Sequence, residues 1–234
     1  MNVVYCVTAD YIEKIKPSIR SLREHNRCSI YVVTETDEVD IEGVKAINVK
    51  DQQIFTKANC INYSNQFTYI GLMKAAYADL LPVKKVIHLD ADTIVCDSLK
   101  PMWDTDLKGK WYAMVQEYNG KYRPFGDKYY NAGVMVLNLE QMRSDGIQQT
   151  MIEYLRTVMQ PWCEQDAFDK FGIEQDKIVP LDVRYNENQF TGYTEDPAIV
   201  HYAGISDWWS SSGMYRAEYL HRFRSPIQIQ DGRA

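Results

Sequence analysis

The segment Val86-Ile87-His88-Leu89 reads as a short buried strand, and it runs directly into Asp90-Ala91-Asp92. Two carboxylates two residues apart are expensive to bury, so the strand must end where they begin. In extended geometry residues i and i+2 point the same way. The pair is therefore expected at the carboxyl edge of a sheet, the place where open α/β sheets bind ligands. Two hard oxygen donors there suit Mg2+ or Mn2+. An ion so held bridges diphosphate oxygens and stabilises charge on a departing nucleotide. Thr93 and the apolar Ile94-Val95 follow at once, which sets the motif inside an apolar frame.

The rest of the chain alternates strand and helix patterns. Residues 2–8, 29–33, 44–49, 111–116, 132–138 and 198–202 read as further strands. Ile12, Ile15, Ile19 and Leu22 recur at helical spacing, with Pro17 starting or kinking that helix. Residues 67–81 read as a helix with Ile70, Met73, Tyr77 and Leu80 on one face, stopped by Pro82. Ile147, Met151, Leu155 and Val158 mark another, with Asp145 as its expected N-cap, and a short helix covers 164–171. This order predicts an α/β, Rossmann-like fold with a mainly parallel sheet and helices on both faces. No repeat or linker is visible. Residues 1–209 are expected to form one domain, with 210–234 as an extension packed on or near it.

Composition excludes several classes. The 234 residues fit one α/β domain. Lys plus Arg is 26 against 32 for Asp plus Glu, a net charge of −6, which argues against a nucleic-acid binder working by broad phosphate neutralisation. Cys6, Cys28, Cys60, Cys96 and Cys163 are scattered, with no C-x-x-C pair, so no structural zinc site is expected and a reducing compartment is. The start of the chain lacks a basic n-region, and no stretch nears about 18 apolar residues, so a cytoplasmic protein without a membrane span is expected. The closest glycines, Gly120 and Gly126, are six apart, so neither G-x-G-x-x-G nor the P-loop can exist. A nucleotide diphosphate would need another source of neutralisation, and Asp90-Ala91-Asp92 with a cation supplies one. The 17 Tyr, 5 Trp and 7 Phe suit either an aromatic core or carbohydrate, whose C–H faces stack on rings. His201 follows Ala198-Ile199-Val200, so it too sits at a strand end, where it can be a third ligand. Two carboxylates and an imidazole lean toward Mn2+, with Mg2+ as the alternative.

Several blocks, in order, resemble glycosyltransferase family 8, the retaining transferases that include glycogenin and bacterial lipopolysaccharide galactosyltransferases. They are Thr8-Ala9-Asp10-Tyr11, Lys74, the strand 86–95 around Asp90 and Asp92, Tyr130-Asn131-Ala132-Gly133 with the strand after it, Glu164-Gln165-Asp166, and Val200-His201-Tyr202-Ala203-Gly204. The resemblance spans residues 3 to about 209 and implies the nucleotide-diphospho-sugar transferase fold and transfer of a hexose from a UDP-sugar to an unidentified acceptor hydroxyl, a glycan among the candidates. It assigns Asp90, Asp92 and His201 to Mn2+ and the donor diphosphate, and Thr8, Ala9, Asp10, Tyr11, Lys74, Ala91, Asn131 and Gly204 to the donor. It places Asn131 and Gln165 around the sugar and its anomeric carbon as catalytic residues, Gln165 as stabiliser of an oxocarbenium-like centre in a front-face displacement, and Glu164 on donor hydroxyls. The family's late block continues to Lys-Pro-Trp, where this chain has Asp207, Trp208 and Trp209, so Arg216 is a candidate to replace the lysine. The aromatic loop 118–130 and Trp208-Trp209 are the candidate acceptor site.

Two other readings compete. A non-catalytic homologue that binds a sugar nucleotide or glycan would accommodate Asp207. A haloacid-dehalogenase-type phosphatase uses D-x-D-x-T after a strand, but here the threonine is Thr93, one place early, and position 94 is Ile. Oligomeric state is not legible.

Overall fold

The computed structural model describes residues 1–64, 69–118 and 128–205. The chain divides into two units, Met1–Ala203 and Gly204–Ala234, and the first carries every element named below.

In order these are β1 (Asn2–Cys6), α1 (Lys16–His25), β2 (Ser29–Thr34), β3 (Val44–Asn48), α2 (Tyr69–Leu72), α3 (Tyr77–Leu80), β4 (Val86–Leu89), β5 (Thr93–Val95) and α4 (Lys100–Trp103). There follow β6 (Tyr112–Gln116), β7 (Tyr130–Leu137), α5 (Leu139–Asp145), α6 (Ile147–Thr157), α7 (Glu164–Glu174), β8 (Ile178–Leu181) and β9 (Ile199–His201). Single 3-10 turns cover Ala9–Tyr11, Met73–Ala76 and Val183–Tyr185.

Seven strands form one sheet in the order β3-β2-β1-β4-β7-β6-β8. The neighbours β3-β2, β2-β1, β1-β4 and β6-β8 are parallel, and only β7 runs against its neighbours β4 and β6. The mainly parallel sheet is thus as expected. Its strands are apolar on both faces because both faces are covered. Val4, Tyr31, Val33, Met114 and Met135 pack on one side with residues of α2, α3, α5, α6 and α7. Val3, Tyr5, Ile30, Val32, Ile87 and Val136 pack on the other with α1, α4 and the second sheet.

The structure corrects four expectations. The helix predicted over 67–81 is broken: residues 65–68 lie outside the described residues, and 69–80 are two short α pieces around a 3-10 stretch. A 3-10 stretch inside a helix marks strain or function, and this one carries Lys74. Asp145 does not cap α6. It ends α5, and Gly146, at φ 65°, joins the two helices. The Asp145 carboxylate instead accepts from Trp111 Nε1 (2.7 Å), Gln141 Nε2 (2.7 Å) and Lys177 Nζ (3.0 Å). The last strand leaves the main sheet and pairs antiparallel with β5. Finally, β8 lies in a stretch for which no element was expected, and its Pro180 sits at the sheet edge, where a proline is tolerated.

Candidate active site

The two aspartates do not lie in extended backbone, as their spacing had suggested. β4 ends at Leu89, and Asp90, Ala91 and Asp92 form the turn into β5. Three hydrogen bonds hold that turn: Asp90 N to Gly133 O (2.7 Å), Thr93 Oγ1 to Asp90 O (2.8 Å) and Tyr202 N to Asp92 O (2.8 Å). The carboxylates converge all the same, and the short second sheet brings the third member. Thr93 pairs with His201 across β5 and β9. His201 Nε2 lies 3.2 Å from Asp92 Oδ1 and 3.9 Å from Asp90 Oδ2. One ligand atom from each of Asp90, Asp92 and His201 falls within 4.8 Å of the others. Gly133 makes the room, because a β-carbon there would sit 2.1 Å from His201 Cε1 and 2.9 Å from Asp90 Oδ2. Two carboxylate oxygens and an imidazole nitrogen at that spacing are a donor set that would suit one divalent cation.

The other oxygen of Asp90 is already engaged. Its Oδ1 accepts from Lys74 Nζ (2.7 Å) and pairs with His88 Nε2 (2.9 Å), and His88 Nδ1 meets Tyr77 OH at 3.0 Å. Burial alone would raise the Asp90 carboxyl, but the Lys74 charge and the two histidines hold it well below the usual carboxylate range. Lys74 is itself buried and also pairs with Glu164 Oε1 at 2.9 Å. Burial works against its charge, yet the two carboxylates raise it above the usual lysine range. Burial and the nearby Lys74 charge push the His88 ring below its ordinary value. At His201 the Asp92 and Asp90 charges outweigh burial and raise the ring.

A second group sits beside the triad. β6 and β7 lose register there: Met114 pairs with Met135 but Val115 with Asn131, so residues 132–134 have no partner on β6. Such irregularities bend a strand and re-aim its residues. Asn131 Nδ2 donates to Glu117 Oε1 (2.8 Å), and Asn131 Oδ1 accepts from Gly133 N (3.0 Å). Gln165 Oε1 accepts from Ala132 N (2.9 Å), and its Nε2 donates to the same Glu117 oxygen (3.3 Å). Burial raises the Glu117 carboxyl, and the two amide donors oppose that. Gln165 and Glu164 occupy the first turn of α7, which Cys163 enters at φ 58°, a conformation that costs a non-glycine residue about 1–3 kcal/mol.

Thr8, Ala9, Asp10 and Tyr11 form the turn after β1, and β1 is a parallel neighbour of β4, so both open on one sheet edge. Thr8 Oγ1 donates to Asp10 Oδ1 at 2.5 Å, and the Lys14 ammonium lies 3.6 Å over the Tyr11 ring. Ala91 is the middle of the turn between Asp90 and Asp92. Gly204, at φ 75°, opens the second unit. Asp207, Trp208, Trp209 and Arg216 lie outside the described residues, as does most of the aromatic loop. Of that loop's flanks, Tyr118 is exposed, while Tyr129 is buried with its hydroxyl on Asp166 Oδ1 at 2.8 Å.

Sequence reasoning missed Glu117, His88 as a partner of Asp90, and the buried Asn186, whose Oδ1 lies 2.8 Å from His201 Nδ1. The only local signal for the last was its run with Glu187 and Asn188 after Tyr185.

The sequence profile of Glycosyl transferase family 8 matches residues 2–213. Glycosyltransferase GlyA of Streptococcus pneumoniae is 25% identical over 228 residues, covering 88% of this chain and 32% of GlyA. General stress protein A of Bacillus subtilis is 25% identical over 191 residues, 68% of this chain and 66% of that protein. The chain thus spans about a third of the first relative and about two thirds of the second. Among solved structures, the galactosyltransferase LgtC in complex with donor and acceptor sugar analogues superposes with a TM-score of 0.73 at 19% identity, covering 95% of each chain. Glycosyltransferase GlyE of Streptococcus pneumoniae gives 0.68 at 19% identity, over 95% of this chain and 60% of GlyE. These superpositions show a Rossmann-like fold of the nucleotide-diphospho-sugar transferase type. Among the described residues, no helix is long and apolar enough to cross a membrane.

Proposed function

The chain belongs to glycosyl transferase family 8, and on that premise we propose that it is a retaining hexosyltransferase. It takes its sugar from a UDP-sugar and uses a divalent cation, Mn2+ before Mg2+. The observation that carries this reading is the convergence of Asp90, Asp92 and His201 beside Gln165 and Asn131, at the sheet edge where the turn 8–11 also lies. A cation bound by the triad would neutralise the donor diphosphate and the charge that grows on it as the sugar leaves.

The chain's own residues do the rest. Lys74 holds Asp90 ionised and leaves its Oδ2 to the cation side. Ala132 N and Glu117 clamp both ends of the Gln165 amide, so its oxygen is presented in one orientation to an electron-poor anomeric carbon. A neutral amide is a weak nucleophile, which favours front-face displacement over a covalent intermediate. Glu164, tied to Lys74, orients donor hydroxyls. Thr8, Ala9, Asp10 and Tyr11 meet the nucleotide. The catalytic domain is residues 1–209, with 210–234 as its extension. The acceptor is a hydroxyl, with a glycan favoured by the aromatic content of the chain.

Family membership replaces the phosphatase alternative. Asp207 in the place of the family's lysine keeps one second reading in play, a homologue that binds a sugar nucleotide without transferring it. Calorimetric titration of UDP with and without Mn2+ tests the site. Binding that needs Mn2+ and disappears in a folded Asp92→Asn variant supports the reading; Mn2+-independent binding, or binding kept by that variant, overturns it. Single-turnover transfer or donor hydrolysis then separates an enzyme from a binder.

A further inference from the structure

The nitrogen and oxygen of a side-chain amide are told apart by their partners, and around His201 those partners end on backbone N–H groups. Gly133 N donates to Asn131, so the acceptor there is Oδ1 and the other end, facing the Glu117 carboxylate, is Nδ2. Asn186 approaches the same Asn131 Oδ1 at 2.9 Å and must offer its Nδ2. Its Oδ1 is thereby left for His201 Nδ1, at 2.8 Å. A second line of donors agrees. Phe190 N and Thr191 N both donate to Asn188 Oδ1, so Asn188 Nδ2 is the end that reaches Asn186 Oδ1, at 3.0 Å. An oxygen opposite Nδ1 requires a proton on that nitrogen. The lone pair of the neutral ring then lies on Nε2, the atom that faces Asp90 and Asp92.

Asn186 is also built to stay in place. It is fully buried, its carbonyl accepts from Asn188 Nδ2 (3.1 Å) and from Thr191 Oγ1, and its neighbour Glu187 bonds to β9 through both backbone groups.

We propose that Asn186 is the positioning residue that keeps the His201 proton on Nδ1, turns its Nε2 lone pair to the cation site, and ties that site to Asn131 and Gln165. Metal-ligating histidines are commonly oriented through their second nitrogen, and losing such a partner weakens metal affinity about 10- to 100-fold. The second half of this proposal rests on the reading that the triad holds a cation.

The first test is a long-range proton–nitrogen correlation spectrum of the metal-free wild type at alkaline pH, where the ring is neutral. A protonated Nδ1 and bare Nε2 at His201 are expected; the opposite tautomer overturns the arrangement. The second test is Mn2+ affinity by electron paramagnetic resonance in Asn186→Ala, expected to fall by about 10- to 100-fold, with unchanged affinity overturning the role. Should Asn186→Ala fail to fold, Asn186→Asp decides. It keeps an acceptor opposite Nδ1 but sets a second acceptor against Asn131 Oδ1. It should therefore keep its Mn2+ affinity and lose kcat more than KM, and an affinity loss in this variant overturns the proposal. A wild type that binds no Mn2+ overturns the cation reading and the second half with it, while the ring spectrum still decides the first.

Discussion

His201 fills the space that a side chain on residue 133 would need: a β-carbon on Gly133 would stand 2.1 Å from His201 Cε1 and 2.8 Å from Nδ1. Both partners are fixed, Gly133 on a strand paired on its β4 side and His201 by its register with Thr93. Gly133→Ala must therefore displace the imidazole from Asp92.

For Gly133→Ala the expected outcome is a modest loss of stability, about 1–3 kcal/mol as in other overpacked sites, with loss of Mn2+ affinity out of proportion to it. Paired melting and Mn2+ titration measure both. A variant that keeps wild-type affinity shows that His201 is not held where the structure places it.

Lys74 joins Asp90 at 2.7 Å and Glu164 at 2.9 Å from a buried position. Removing one partner of a buried ion pair leaves uncompensated charge and commonly costs about 3–5 kcal/mol. Lys74→Met should show a loss of that order in metal-free denaturant unfolding. Mn2+ should recover part of it, because a cation replaces the lost positive charge beside Asp90. A midpoint unmoved by the substitution would remove Lys74 from its role.

The triad was legible because strand ends can be read from sequence: an apolar run that stops at an acid or a histidine marks a sheet edge. The turn geometry and the β5–β9 pairing were not, since an apolar run marks a strand but not the strand it pairs with. Glu117 and Asn186 were missed for a different reason. Each stands in a short polar stretch beside a strand or turn, and nothing local tells a buried carboxylate or amide from a solvated one. The break in the helix over 69–80 was hidden by a good apolar spacing, which continues through the 3-10 stretch that aims Lys74.

Glu117 gives a pH dependence with a definite sign. Burial raises its carboxyl above the ordinary range in the folded state. Its contribution to stability is present at low pH and lost as pH climbs from the ordinary carboxylate value through the folded one. Asp90 acts oppositely: its lowered carboxyl favours folding above the ordinary carboxylate range and gives that up as the medium becomes acidic. Glu117→Gln keeps an oxygen for both Asn131 and Gln165 but no longer titrates. Its stability should fall less than the wild type's between weakly acidic and neutral pH, read from melting temperatures across that range. Parallel profiles would show that Glu117 is not held above the ordinary range.

Gln165 offers a separation between binding and chemistry. Its amide is locked to Ala132 N and Glu117, and neither contact reaches Asp90, Asp92 or His201 directly. UDP carries no sugar, so Mn2+-dependent UDP binding should survive Gln165→Ala within a few-fold. Transfer should not survive. An interaction made mainly with the charge developing at the anomeric carbon appears in kcat, and deleting one preorganised group of this kind costs about 10²–10³ in rate. The comparison uses UDP calorimetry and initial-rate kinetics on one preparation. If KM for the donor rises while kcat holds, Gln165 binds the ground-state sugar, and the stabiliser of the oxocarbenium-like centre must be sought in Asn131 or Glu164.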